Sequence, residues 1–261
     1  MKSTYSVTKE SLINAPIPLE ERIYRPFSHE KVIDLTLEAL EGSGFKLDKE
    51  EYRACRDNKV AIGKYSIKNV ADSEMKVEIS WLNSYDKSKK LTWAIGSHVI
   101  LCMNGMVSAD MGSFKKKHRG EIGEYAPKTI SEYVKRAGDV FREMQKEREE
   151  MKKIELSERD KSLLIGRLFL EEKLITSTQM NIIAREIEIP TFDYGAKGSM
   201  WEFYNHLTLS YRDLHPSLYL NHHMDAHKFF VGESGLFVPN SHIPSDISVN
   251  QTVLFDEITP V

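Results

Sequence analysis

Four apolar side chains in strict alternation, Met75, Val77, Ile79 and Trp81, interleaved with Lys76, Glu78 and Ser80, constrain this chain more than any other stretch. A period of two sends the first set to one face of a strand and the second set to the other, the pattern of a half-buried strand. Such a strand needs partners, and its neighbours supply them. Residues 45–67 carry shorter alternations, Tyr52-Arg53-Ala54-Cys55 and Val60-Ala61-Ile62, broken by Asp57-Asn58, which predicts a hairpin. Residues 83–90 are polar and turn-rich, so the apolar run from Leu91 to about Met103 returns antiparallel. Asn104-Gly105 then forms a turn, because both residue types tolerate positive φ.

Helical signals flank this meander. Residues 1–27 hold Pro16, Pro18 and Pro26 and read as an extended arm. Ser28 caps a helix whose apolar face includes Val32, Leu35, Ala39 and Leu40, with Phe27 and Val32 at the positions of a hydrophobic staple. Pro127 fits the first turn of a long helix. Thirteen of the 20 residues from Phe141 to Asp160 are charged, with mixed signs, and the apolar seam breaks at Arg148, so a solvated helix is expected rather than a coiled coil. Ser157 opens a largely buried helix through Leu163, Leu164, Gly166, Leu168 and Leu170. A shorter helix spans residues 176–187 before Pro190, and Ser199 to Glu202 has capping-box spacing ahead of Trp201, Tyr204, Leu207 and Thr208. The expected class is α+β: a helix, an antiparallel strand meander and a long helix, followed by a smaller helical region. The expected division is a core at 1–153 with its N-terminal arm, a helical region at 154–230, and an irregular tail at 231–261.

Composition bounds the function classes. The net charge of −3 argues against a generally basic nucleic-acid binder, yet it conceals an imbalance. From Lys87 to Arg119 there are seven Lys or Arg against one acid, Asp110, whereas from Asn221 to Val261 five acids face one Lys. Two cysteines, Cys55 and Cys102, with no signal-type leader and no membrane-length apolar run, point to the host cell cytoplasm and no membrane partner.

The candidate binding residues are Lys115, Lys116, Lys117, His118 and Arg119, delivered just past the Asn104-Gly105 turn, with Lys89 and Lys90 nearby. Cations for phosphates and rings for base stacking are what single-stranded nucleic acid requires, and Phe114, Trp93, Tyr85 and Tyr125 lie close in sequence. The duller reading of such a run is a solvated loop, and Trp81 and Trp93 serve equally well as core residues. His222, His223 and His227 are the candidate metal ligands, since His223 and His227 share a helical face, with Asp225, His215 or His206 as further donors. Their order matches neither a metallo-β-lactamase pattern nor His-Glu-x-x-His, so partly exposed helix histidines are expected, with no metal. There is no Gly-x-Ser-x-Gly and no phosphate-binding Gly-x-x-x-x-Gly-Lys, and Cys102 beside His98 reads as a buried thiol. No catalytic residue and no cofactor is expected.

The pieces Leu101-Cys102-Met103-Asn104-Gly105-Met106, Lys117-His118-Arg119-Gly120 and Trp201-Glu202-Phe203-Tyr204-Asn205-His206-Leu207-Thr208 resemble those of a phage- and plasmid-borne family of unknown function, in that family's order over roughly residues 25–230. That resemblance implies a mobile-element protein and carries no catalytic residues with it. The layout of helix, strand meander and helix is similar to the core of Rad52-type single-strand annealing proteins, a likeness of topology only. The function these signs point to is non-catalytic binding of nucleic acid, single-stranded DNA in the first place, in replication or recombination, with room for a homo-oligomer. The rival is a structural or host-defence-inhibiting phage protein acting through protein contacts.

Overall fold

The computed structural model describes residues 5–68, 72–100, 105–107 and 112–231, and its class is α+β. Seven strands form one antiparallel sheet: β1 (Ser6–Val7), β2 (Leu47–Cys55), β3 (Val60–Ile67), β4 (Met75–Ser84), β5 (Leu91–Val99), β6 (Gly105–Val107) and β7 (Ser113–Lys116), in the order β1-β2-β3-β4-β5-β6. β7 and β6 share one flank of β5 end to end, with Leu91 opposite Lys116 and Gly96 opposite Val107. Gly96 permits this, because a Cβ there would meet the Met106 carbonyl oxygen at 2.5 Å. Arg56, Asp57 and Asn58 take positive φ in the β2–β3 turn, which explains the break seen at Asp57-Asn58.

The helices are α1 (Lys9–Ile13), α2 (His29–Gly42), α3 (Ile122–Lys135), α4 (Ala137–Lys153), α5 (Glu158–Gly166), α6 (Ser177–Glu188), α7 (Met200–Ser210) and α8 (Pro216–Val231). Local signals start several of them. Ser28 Oγ accepts from Lys31 N at 3.0 Å, and Ser157 with Asp160 forms a reciprocal capping box. Among the described residues, no helix is long and apolar enough to cross a membrane.

One face of the sheet packs under α2, α3 and α4, and its apolar cluster continues from Phe27, Trp81 and Trp93 to Phe141, Trp201, Tyr204 and Phe230. The other face faces α8, where Leu82 and Ala94 meet Tyr219, Leu220 and Met224. β4 is therefore buried on both sides, which corrects the half-buried expectation: Glu78 is 2% exposed and Ser80 2%.

Other expectations are also revised. β1 and α1 precede the arm, so residues 1–27 are not extended throughout. α3 begins at Ile122 with Pro127 inside it, and a separate α4 follows the break at Arg136. α4 is not simply solvated. Val140, Phe141, Met144 and Met151 face the core, and Arg148 continues that stripe, buried against Asp72 at 2.9 and 3.0 Å. Burial pushes the Asp72 carboxyl up, but Gln145, Arg148 and two backbone amides hold it at about 2. On α5 and the π-helical turn at Arg167–Glu171, Leu164 and Leu168 are buried while Leu163 and Leu170 are exposed.

Candidate nucleic-acid interface

β7 positions the basic run by alternation. Phe114 turns inward against Trp93, Tyr125 and Tyr133, so Lys116 emerges on the same face, with its ammonium 4.1 Å from the Tyr125 ring centroid. Lys115 leaves on the opposite face, across from Thr92. The chain then doubles back: Arg119 N donates to Lys117 O at 2.8 Å, Gly120 takes φ +60°, and α3 starts two residues later. Opposite this turn runs the arm. Buried Tyr24 anchors it, donating to Tyr85 O at 3.2 Å, and Arg25 N donates to His118 O at 2.8 Å. Between arm and turn lies a cleft of about 720 Å³, with Arg22, Ile23 and Arg25 on one wall and Lys116, Lys117, Arg119, Gly120 and Glu121 on the other.

Five cationic side chains thus line one cleft against one carboxylate. Arg25 is already engaged, 3.3 Å from Glu20 and donating to Glu21 O at 2.7 Å. Arg22, Lys116, Lys117 and Arg119 have no carboxylate partner among the described residues, whereas the buried cations Lys64 and Arg148 each have one. The N-terminus of α3 adds roughly half a positive charge beside them. Glu121 is the N-cap residue of that helix but makes no side-chain capping bond. An arrangement of this kind is chemically suited to an anion.

The structure gathers Lys116, Lys117 and Arg119 from the predicted set and leaves the others out. Lys115 lies on the other face of β7, and Lys89 and Lys90 sit in the turn before β5, outside the cleft lining. His118 is not a surface group. It is 6% exposed behind the turn, its ring 5.9 Å from that of Tyr24, and neither ring nitrogen has a hydrogen-bond partner among the described residues. Burial depresses it to about 4, so it is neutral at neutral pH. Of the aromatic residues near the run, Trp93, Tyr85 and Phe114 are buried and Tyr125 alone is exposed, at 37%. Gly105 opens β6 opposite His98, while Asn104 and Cys102 lie outside the described residues, as does the tail from Gly232. Sequence reasoning missed Arg22 and Arg25. Flanked by Glu20 and Glu21 their segment is nearly neutral, and the one signal was a proline-bounded extended run carrying two arginines.

His222, His223 and His227 do not converge on a common point. His223 packs on Tyr219 and Tyr211, His227 approaches Glu147 at 3.4 Å, and His222 borders Tyr211. His223 and His227 are buried, correcting the expectation of partly exposed histidines. No group of three or more His, Cys, Asp or Glu among the described residues is placed to hold a metal ion.

A second polar cluster was not foreseen. On the sheet face toward α8, Lys64 Nζ lies 3.0 Å from Glu78 Oε2 and donates to the Tyr219 hydroxyl at 3.2 Å, while Ser80 donates to Glu78 Oε1 at 3.2 Å. Burial pushes the Glu78 carboxyl up, yet Lys64 and His98 hold it at about 2. Ser66 Oγ and Glu78 Oε2 both approach His98 at Nδ1, each at 3.5 Å. A nucleophile–base–acid chain needs the two on different ring nitrogens, so this cluster ties α8 to the sheet without forming a catalytic triad.

A family model described as Domain of unknown function (DUF932) matches residues 21–211, which takes in both walls of the cleft and ends before α8. No curated protein and no solved structure matches the chain.

Proposed function

This chain belongs to the DUF932 family, and on that premise we propose that it binds nucleic acid, single-stranded DNA first, by holding phosphates in the cleft between the arm and the β7–α3 turn. The observation that carries the reading is the set of four cations, Arg22, Lys116, Lys117 and Arg119, gathered on one cleft with no carboxylate partner among the described residues. The exposed ring of Tyr125 beside Lys116 is a surface on which a base stacks. The setting we propose is a phage or plasmid in its host's cytoplasm, where a non-catalytic protein of this kind serves replication or recombination by binding or annealing single strands.

The test compares two charge-reversal variants against a labelled single-stranded oligonucleotide. Lys116→Glu/Lys117→Glu/Arg119→Glu should weaken binding by more than tenfold, since each phosphate contact contributes to affinity. Lys89→Glu/Lys90→Glu/Lys115→Glu, outside the cleft, should weaken it much less. Equal losses in the two variants would sink the assignment.

A protein-binding role is the second reading, and it draws on the arm itself: Ile17, Leu19 and Ile23 are 52%, 88% and 68% exposed. Oligomers that dissociate on Leu19→Lys, in a protein with no affinity for oligonucleotides at low salt, would favour that reading.

A further inference from the structure

We propose that Cys55 and His215 form a thiol–imidazole pair that carries out thiol–disulfide exchange, making Cys55 the site at which a small disulfide bearing carboxylates attaches to this protein. The pair shares no residue with the cleft. Cys55 ends β2, just before the positive-φ turn at Arg56, Asp57 and Asn58, and Arg53, two residues earlier, leaves the strand on the same face. Arg53 donates to Leu214 O at 2.6 Å and to Arg212 O at 3.2 Å, which pins the segment entering α8 against that face. His215 follows directly, and its Nδ1 lies 3.9 Å from Cys55 Sγ. Both residues keep part of their surface in solvent.

The ring is set as a base. Ser217 N donates to His215 Nδ1 at 3.3 Å, so that nitrogen carries a lone pair and the ring proton sits on Nε2. Ser217 Oγ shares the same nitrogen at 2.8 Å, and its hydroxyl is free to rotate away as the thiol proton arrives. Ser217 stands in the first turn of α8, whose N-terminal partial charge favours a thiolate, as its amide does directly. Burial pushes the Cys55 thiol up, with Asp86 adding to the shift and Arg56 and the Ser217 amide opposing it. Burial, then Arg56, Lys89 and Arg53, pushes His215 down. At rest the pair is therefore neutral, and the proton moves only as the sulfur attacks. Cys55 Sγ bonds to one sulfur of the disulfide and the S–S bond breaks. His215 takes the thiol proton and passes it to the departing sulfur, which leaves as a free thiol. Cys55 is thereby oxidised to a mixed disulfide while one half of the reagent is reduced. Arg56, Lys89 and Arg53, close enough to act on the imidazole, favour a reagent with negative charge.

The experiment exposes the full chain to glutathione disulfide, which carries carboxylates on each half, and to neutral 2-hydroxyethyl disulfide, and follows Cys55 and Cys102 separately by peptide mass mapping. Cys55 should gain the glutathionyl adduct, and dithiothreitol should remove it. His215→Ala should slow modification of Cys55 by both reagents about tenfold or more, as loss of a general base does. A variant that only loosened the α8 junction would uncover the sulfur and raise the rate, so the direction separates a base from a structural prop. Lys89→Glu should slow the reaction with glutathione disulfide several-fold more than that with the neutral reagent. An unmodified Cys55, or a His215→Ala rate equal to or above that of the unaltered chain, overturns the exchange site. Equal slowing of both reagents by Lys89→Glu overturns the preference for carboxylates.

Discussion

Lys64 and Glu78 show why single residues on the α8 face matter. A buried ion pair gains little over an apolar pair of the same shape, but removing one partner strands the other charge in the interior. Lys64→Met should therefore cost about 3 to 5 kcal/mol, read as a lower urea midpoint at pH 7, while Lys64→Met/Glu78→Gln should recover part of the loss. Gly63 is equally constrained, because a Cβ there would overlap the Trp81 indole, whose Nε1 donates to Tyr65 OH at 3.0 Å. Gly63→Ala should destabilise by about 1 to 3 kcal/mol through overpacking, and denaturant unfolding followed by tryptophan fluorescence will measure it. Neither position announced itself in the sequence, since the neighbour that makes each one critical lies on another strand or on α8.

At the scale of elements, what sequence could read was local. Ser28, Ser157 and Ser199 were recognisable caps because an N-cap hydroxyl bonds an amide two or three residues ahead. Ser199 departs in one detail: Glu202 reaches the Gly198 amide at 2.7 Å instead of closing a capping box. Ser28→Ala should cost about 1 kcal/mol, seen as a lower thermal midpoint. The β2–β3 and β4–β5 pairings were legible from alternation and turn residues. The second burial of β4 was not, because α8 comes from a distant part of the chain, and α8 makes buried groups of side chains that alternation assigned to solvent. The candidate site divides the same way. Lys116, Lys117 and Arg119 stood out as a run, whereas Arg22 and Arg25 join them only when Tyr24 and the Arg25–His118 hydrogen bond fold the arm back.

Over the whole molecule, buried titratable groups set opposing pH dependences. Burial lowers His29 and His118 from 6.5 to about 4, with the Asn58 carbonyl opposing that shift at His29 and the neighbouring His118 adding to it. Between these values the unfolded chain binds more protons, so the stability each contributes is complete above 6.5 and is lost as pH falls through 4, up to about 3 kcal/mol apiece. Burial, then Glu143, raises Glu147 from 4.5 to about 7, which gives the opposite sign: its contribution is complete below 4.5 and is lost as pH rises through 7. Two histidines outweigh one carboxyl, so the fold should weaken from pH 6.5 to 4.5. His118→Phe should flatten that decline, and Glu147→Gln should raise the urea midpoint at pH 8 without raising it at pH 4.5. On the proposed function, the uneven charge along the chain sets binding in the same global way, because a net −3 protein would attract phosphate where its cations are clustered. The most direct test of that claim is the salt dependence of affinity for a single-stranded oligonucleotide. Three to four phosphates held in the cleft predict a slope of log K against log[salt] of about −2 to −3, reduced in the Lys116→Glu/Lys117→Glu/Arg119→Glu variant. A slope near zero, or one that the variant leaves unchanged, would contradict it.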